Sequence, residues 1–256
     1  MIKYVKEFSR NYPLFQMTVL TDMKLQRVST FDKEPYFGRP LWIYEGGQMA
    51  SGYYGEDDKS KIFKRISELY GNEVEVVRVI VSLRRLLEEI LPYLKKEVYA
   101  KNMEEFKVLH RLFLDFYYCG SIVWVLPLVD SLPEPVRKIA LETRSEVQEL
   151  SNLRDELIEY NLGKLFPELG ELVHFISPKS VFAGLSIEEL REEAERNKKG
   201  YIWFDGVIYN APKEEVLPKL NIELKNDIPE GEIKSITGEI ACRGNARGKV
   251  KILLTN

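Results

Sequence analysis

Arginines set among aromatic residues are the side chains of this chain best suited to chemistry. Near the N-terminus, EFSRNYPLF places Arg10 and Tyr12 beside apolar neighbours. A guanidinium there can hold a carboxylate or phosphate through two parallel hydrogen bonds. Further on, Phe113, Phe116, Tyr117, Tyr118 and Trp124 are dense enough to line a ligand pocket, and the core of a helix bundle would look the same. Arg144 belongs to a charged stretch, RKIALETRSEVQELSNLRDELIEYN, that also carries Arg137 and Arg154 among Glu142, Glu146 and Asp155. Such spacings mostly give surface ion pairs of small value, with one or two arginines left to line a cavity. The candidate substrate-binding residues are therefore Arg10, Tyr117, Tyr118, Trp124 and Arg144, with Arg144 placed at a cavity mouth.

Other chemistries find little support. There is no phosphate loop of the G-x-x-x-x-G-K-[ST] type and no G-x-G-x-x-G after a strand. GGQMASGYYG (Gly46–Gly55) lacks the lysine of a phosphate cradle and reads as turn and strand. His110 and His174 have no second ligand or acid at local spacing, so both read as packed or solvent-facing. Cys119 and Cys242 lie far apart and outside any metal spacing. No catalytic residue, metal site or cofactor site is assigned.

The elements that must position these residues follow from periodicity. PLFQMTVL and PLWIYEGG read as strands, and SGYYGEDDKS reads as turn chemistry leading into a helix. From Lys59, Ile62, Phe63, Ile66, Leu69 and Tyr70 keep helical spacing. Val76, Ile80, Leu83, Leu87, Ile90 and Leu94 give a second stripe, which Pro92 should kink or end early. Asn102 caps a third helix carrying Met103, Phe106, Leu109, Phe113 and Phe116, with Gly120 and Pro127 interrupting its continuation. A fourth starts near Pro133–Pro135 and carries Ile139, Thr143, Val147, Leu150 and Leu157. Leu162, Leu165, Leu169 and Leu172 make a short last helix. After Ile176, Ser177-Pro178 opens a helix, Ser186 and Glu189 have capping-box spacing, and YIWFDGVIYN is a hairpin turning at Asp205-Gly206. KLNIELKNDIPEGEIKS reads as a linker. The expected fold is α+β: mainly a helical bundle (59–176), with an N-terminal β-containing segment (1–58) and a small C-terminal helix and β-hairpin unit (177–232).

The bulk properties agree. The 256 residues carry 37 basic and 40 acidic side chains, a net charge of −3, which offers no basic field for nucleic acid. The N-terminus lacks a signal-peptide stretch, and the run Ser121–Val129 is about half of a membrane span. Neither membrane nor nucleic acid is expected as a partner, and the reading is cytoplasmic.

The end of the chain carries a resemblance. Gly238, Ala241, Gly244, Gly248 and Val250 form G-x-x-A-x-x-G-x-x-x-G-x-V. This resembles the opening of the swivelling phosphohistidine domain of phosphoenolpyruvate-utilising enzymes, the family of phosphoenolpyruvate synthase, pyruvate phosphate dikinase and rifampicin phosphotransferase. The stretch from His174 to Pro212, with Ser177-Pro178, Arg196, Tyr201 and Gly206, is similar to the region before that domain. It departs at Lys179-Ser180, where the family often has acidic residues. The resemblance implies that 233–256 begins a truncated swivelling domain. It also implies that the helical part binds a small-molecule acceptor or docks the moving domain. The carrier histidine of a T-S-H-A-type motif and the nucleotide-binding domain are missing partners. ATP and Mg are expected only for a full-length relative. The alternative is a non-catalytic binding or regulatory module on the same scaffold.

Overall fold

The computed structural model describes residues 1–18, 38–47, 49–130, 132–148 and 150–225, all within one compact unit, Met1–Lys225. The expected start of a swivelling domain at 233–256, and Cys242 with it, lies outside the described residues. The fold is α+β, a helical bundle packed beside one sheet.

Six strands form that sheet: β1 (Ile2–Arg10), β2 (Leu41–Tyr44), β3 (Ala50–Gly55), β4 (Tyr201–Phe204), β5 (Val207–Tyr209) and β6 (Ile222–Leu224). Their order is β5-β4-β2-β3-β1-β6, antiparallel except for β1 against β6. The C-terminal hairpin therefore completes the N-terminal sheet. Trp42 pairs with Trp203 and Ile43 with Ile202. Both β2 and β4 are buried along their whole length, because both faces of the sheet are covered. Tyr4, Leu41, Ile43, Ile202 and Phe204 pack on one face with Val216, Leu217 and Ile222. Trp42, Tyr44, Ala50, Tyr201 and Trp203 pack on the other with Leu14 and Met17. At the β4–β5 turn, Asp205 and Gly206 both take positive φ (52° and 84°), the two-residue geometry that this dipeptide favours.

The bundle holds α1 (Asp58–Tyr70), α2 (Glu73–Leu94), α3 (Met103–Val125), α4 (Glu134–Gln148) and α5 (Ser151–Leu165). Asn72 and Asn102 cap α2 and α3 by accepting from the backbone N–H of Glu75 and Glu105. Buried Asn161 ties the α2–α3 link to α5: its Oδ1 accepts from Ala100 N–H at 2.8 Å while its Nδ2 donates to Leu157 O. A 3₁₀ segment, Pro167–Phe175, leads to α6 (Pro178–Phe182) and α7 (Ile187–Lys199), each started as expected. Ser177 accepts from Ser180 N–H, and Ser186 with Glu189 forms a complete capping box. A last helix, α8 (Lys213–Lys219), precedes β6. The stretch Met103–Leu128 is long and apolar enough to cross a bilayer by length and composition. Here it is the central helix of the bundle, with Phe106, Leu109, Phe113, Phe116 and Ile122 buried in the core.

The structure refines the sequence reading at several places. Residues 14–18 of PLFQMTVL are helical, with Gln16 and Met17 N–H donating to Pro13 O. A strand has only two faces, whereas this turn seats Phe15 in the bundle and Leu14 and Met17 on the sheet. Within Gly46–Gly55, read as turn and strand, the strand is Ala50–Gly55: Gly52 lies between Phe8 and Trp42 in register, and its missing side chain makes room for both rings. The polar stretch Ile2–Arg10 is also a strand, hidden because a bulge breaks its alternation. Gly120 does not interrupt α3, which runs to Val125. The stretch expected as one fourth helix divides between α4 and α5. The front of the expected linker forms β6, because Ile222 buries against the sheet.

Candidate small-molecule site

The bulge lies between Lys6 and Phe8 of β1. Strict alternation would put Phe8 on the face of Tyr4. The extra residue, Glu7, shifts the pairing by one and turns Phe8 and Arg10 to the opposite, bundle-facing side. There Phe8 meets Trp42 edge to face at 5.3 Å between ring centroids. The sheet thus presents Phe8, Trp42 and Tyr54 to the bundle, and α3 answers with Phe116, Tyr117, Gly120, Ser121 and Trp124. Between them lies a cavity of about 400 Å³. Tyr12, Gln16 and Met17 close one side and Arg154 of α5 enters from another. On α3 the lining residues Tyr117, Gly120, Ser121 and Trp124 follow steps of three and four, one face of the helix.

The polar groups decide the character of this cavity. The Arg154 side chain is 17% exposed. Its guanidinium carbon is 5.1 Å from the centre of the Tyr117 ring. Nε and Nη2 donate to Asp155 Oδ1 at 3.1 and 3.0 Å. Burial opposes the charge on Arg154, but Tyr117, Asp155 and Tyr12 outweigh it and raise its pKa, so it stays a cation. Burial raises the pKa of Asp155, and Arg154 and Arg10 pull against that. Burial pushes the Tyr117 phenol up to about 12 and also raises Tyr12 and Tyr54, so all three are neutral hydroxyls at pH 7. Arg10 lines the cavity and donates to Ser9 O at 3.3 Å. Two further groups have no partner among the described residues: both amide atoms of Gln16, 3% exposed, and the indole Nε1 of Trp42, 2% exposed. Buried polar atoms are rarely left unpaired, so these three are the candidates to bond a molecule held in the cavity that Gln16 and Trp42 line.

Of the five sequence candidates, Arg10, Tyr117 and Trp124 meet at this cavity. Tyr118 does not: it is buried on the far side of α3, its hydroxyl 2.9 Å from that of Tyr70. Arg144 does not line the cavity either. It stacks on the Trp124 ring at 4.2 Å and braces that wall, and Arg154 takes the place expected for it. The expectation failed because residues 144 and 154 fall on two helices, and only the second points inward. Gln16, Trp42, Tyr54 and Gly120 were not singled out by sequence. The one available signal was Gly120, a helix-weakening residue in the middle of an aromatic helical stripe.

Neither histidine is at the cavity. His110, 3% exposed, sits among the rings of Phe15, Phe106 and Phe182. Burial, with a smaller effect of Arg111, lowers its pKa to about 4. His174 does gain an acid on folding, Glu159 Oε1 at 3.1 Å, which the spacing along the sequence hides. Burial, assisted by Asp115, pushes the Cys119 thiol up to about 12, far from a reactive thiolate. The Ser121 hydroxyl donates to Tyr117 O. Among the described residues no group of three His, Cys, Asp or Glu side chains is placed to hold a metal ion. The arrangement is suited to holding a molecule.

Comparison with known protein families, with curated proteins and with solved structures finds no match to this chain.

Proposed function

We propose that this chain is a small-molecule-binding module, the acceptor-binding part of a phosphoenolpyruvate synthase-like phosphotransferase system, with the Phe8–Trp42–Trp124 cavity as the acceptor site. In this reading ATP, Mg and the carrier histidine belong to partner domains, the chain works in the cytoplasm, and its own task is to hold the acceptor. The observation that carries the binding part is an aromatic cavity beside Arg154 whose lining residues Gln16 and Trp42 carry unpartnered polar atoms. The phosphotransfer part rests on the resemblance of residues 174–212 and 238–250.

Two measurements test it. Trp42 and Trp124 both line the cavity, so small aromatic anions should change the tryptophan fluorescence of the chain. Gly120→Leu should remove that response, since a side chain there enters space with no atom within 4 Å of the new Cβ. An equal response in this variant places binding elsewhere. Separately, labelled phosphoenolpyruvate or ATP should leave the chain unlabelled, because His110 is enclosed and His174 is engaged by Glu159. Acid-labile phosphate on either histidine overturns the assignment of phosphotransfer to a partner. Transfer to the bound molecule when a phosphohistidine partner is supplied separates this reading from a regulatory binding module.

A further inference from the structure

Resting on the reading of this cavity as a binding site, we infer that its ligand is a flat aromatic monocarboxylate of one or two fused rings with a hydroxyl or ring carbonyl at the end opposite its carboxylate. Size sets the ring count. A volume of about 400 Å³ is near the lower end for small-molecule sites. Shape sets the flatness, because aromatic walls face each other: Phe8 and Trp42 from the sheet, Tyr117 and Trp124 from α3.

Charge sets the carboxylate. Arg10 and Arg154 contribute two positive charges and Asp155 one negative, so 2 − 1 leaves one positive charge. Arg154 is the buried cation and Arg10 stands exposed at the rim, so an anion placed between them is favoured and a cation would be repelled. Asp155 occupies the Nε–Nη2 edge of Arg154 through one oxygen. Nη1 remains to meet the ligand, and a guanidinium favours a planar carboxylate.

The far end is set by Gln16 and Trp42. The indole N–H is a donor only, and the carboxamide offers both a donor and an acceptor. A phenol hydroxyl can accept from the indole and donate to the amide oxygen; a ring carbonyl can accept from both nitrogens. A bare hydrocarbon edge would leave all three atoms unpaired, which is costly when they are buried.

The test is calorimetric titration of the full chain at neutral pH with four probes of one shape: 6-hydroxy-2-naphthoate, 2-naphthoate, 6-hydroxy-2-naphthamide and 2-naphthyl phosphate. The hydroxynaphthoate should bind tighter than each of the others by about tenfold or more, the scale of a charge-assisted or buried hydrogen bond. Arg10→Gln should shrink the preference for acid over amide. The paired change Arg154→Gln with Asp155→Asn should abolish it, and it avoids stranding a buried carboxylate. Gln16→Met should erase the preference for the hydroxyl. An amide that binds as well as the acid, or a phosphate that binds more tightly, overturns the monocarboxylate class. If all four probes bind alike and Gly120→Leu blocks them, the ligand class is wrong and the cavity reading stands. If none binds to folded protein, both fall together.

Discussion

Replacing Gln16 with methionine should make the free protein more stable and its site weaker. Polar atoms buried for structural reasons behave in the opposite way. Both amide atoms of Gln16 are enclosed, and no described residue bonds to either. Burying an unpaired amide costs about 1–3 kcal/mol as measured in proteins. Methionine keeps the length of the side chain and removes the unpaired atoms, so most of that cost is recovered. Alanine is the wrong choice, because the void it leaves would mask the gain. The expected gain is about 2 kcal/mol. For a chain of this size each kcal/mol moves Tm by about 2–4 °C, so Tm should rise by about 4–8 °C. In urea the midpoint should rise with the slope unchanged, which separates a stability gain from a change in the unfolded state. Binding of a hydroxylated aromatic acid should weaken by about tenfold in the same variant. The opposed signs are the test. A destabilised Gln16→Met protein would show that the amide is satisfied within the fold, and the strongest polar argument for the site would be gone.

Three further outcomes are expected. Gly120→Ala should stabilise α3 by about 0.5–1 kcal/mol, since glycine inside a helix is unfavourable relative to alanine and a Cβ there meets nothing within 4 Å; thermal melts that show a loss instead would mean the cavity is not open at this point. Tyr118→Phe should cost about 1 kcal/mol through loss of the buried contact with Tyr70, and should leave ligand affinity unchanged; a binding defect would return Tyr118 to the site. His110 titrates at about 4 in the folded protein against 6.5 unfolded, chiefly because it is buried and secondarily because of Arg111. The unfolded chain therefore binds the extra proton, and stability should fall as pH drops from about 6.5 to 4, by at most about 3 kcal/mol; His110→Phe should flatten denaturation midpoints across that window, and an unchanged slope would assign the effect to other groups.

Most helices were legible from a stripe that the bundle buries, and several also from a cap whose side chain bonds the backbone. Asn72, Asn102, Ser177 and Ser186 all do so. The hairpin at Asp205-Gly206 was legible because that pair tolerates positive φ at both positions. The rest of the sheet was hidden for a different reason. Gly52 lowers the strand propensity of β3, yet it makes room for Phe8 and Trp42 across three strands. In β1, Tyr4 and Phe8 have the same parity and lie on opposite faces, so a period of two fails to describe the strand. Where the strands are not regular, the irregularity is what builds the site.

The aromatic density of α3 fits a packed core and a pocket wall equally well. Phe113 is a buried core residue, Tyr117 and Trp124 on the same helix line the cavity, and Phe116 belongs to both. Periodicity cannot divide them, because the dividing surface is supplied by other elements: the bulged end of β1, the helical turn at 14–18 and the start of α5. What distinguishes a pocket from a core is polar accounting. At the cavity an indole N–H and both atoms of a carboxamide are unpaired and a charged guanidinium lies among the rings, whereas the core leaves a single imidazole nitrogen, of His110, unpaired among its rings. Those groups come from Gln16, Trp42 and Arg154, on three separate elements, and Phe8 and Arg10 join them because Glu7 is one residue too many for its strand. Deleting Glu7 should therefore return Phe8 and Arg10 to the face of Tyr4 and abolish ligand binding in a protein that keeps its helical circular-dichroism signal. Binding that survives the deletion in folded protein would show that the face-switching bulge does not make the site.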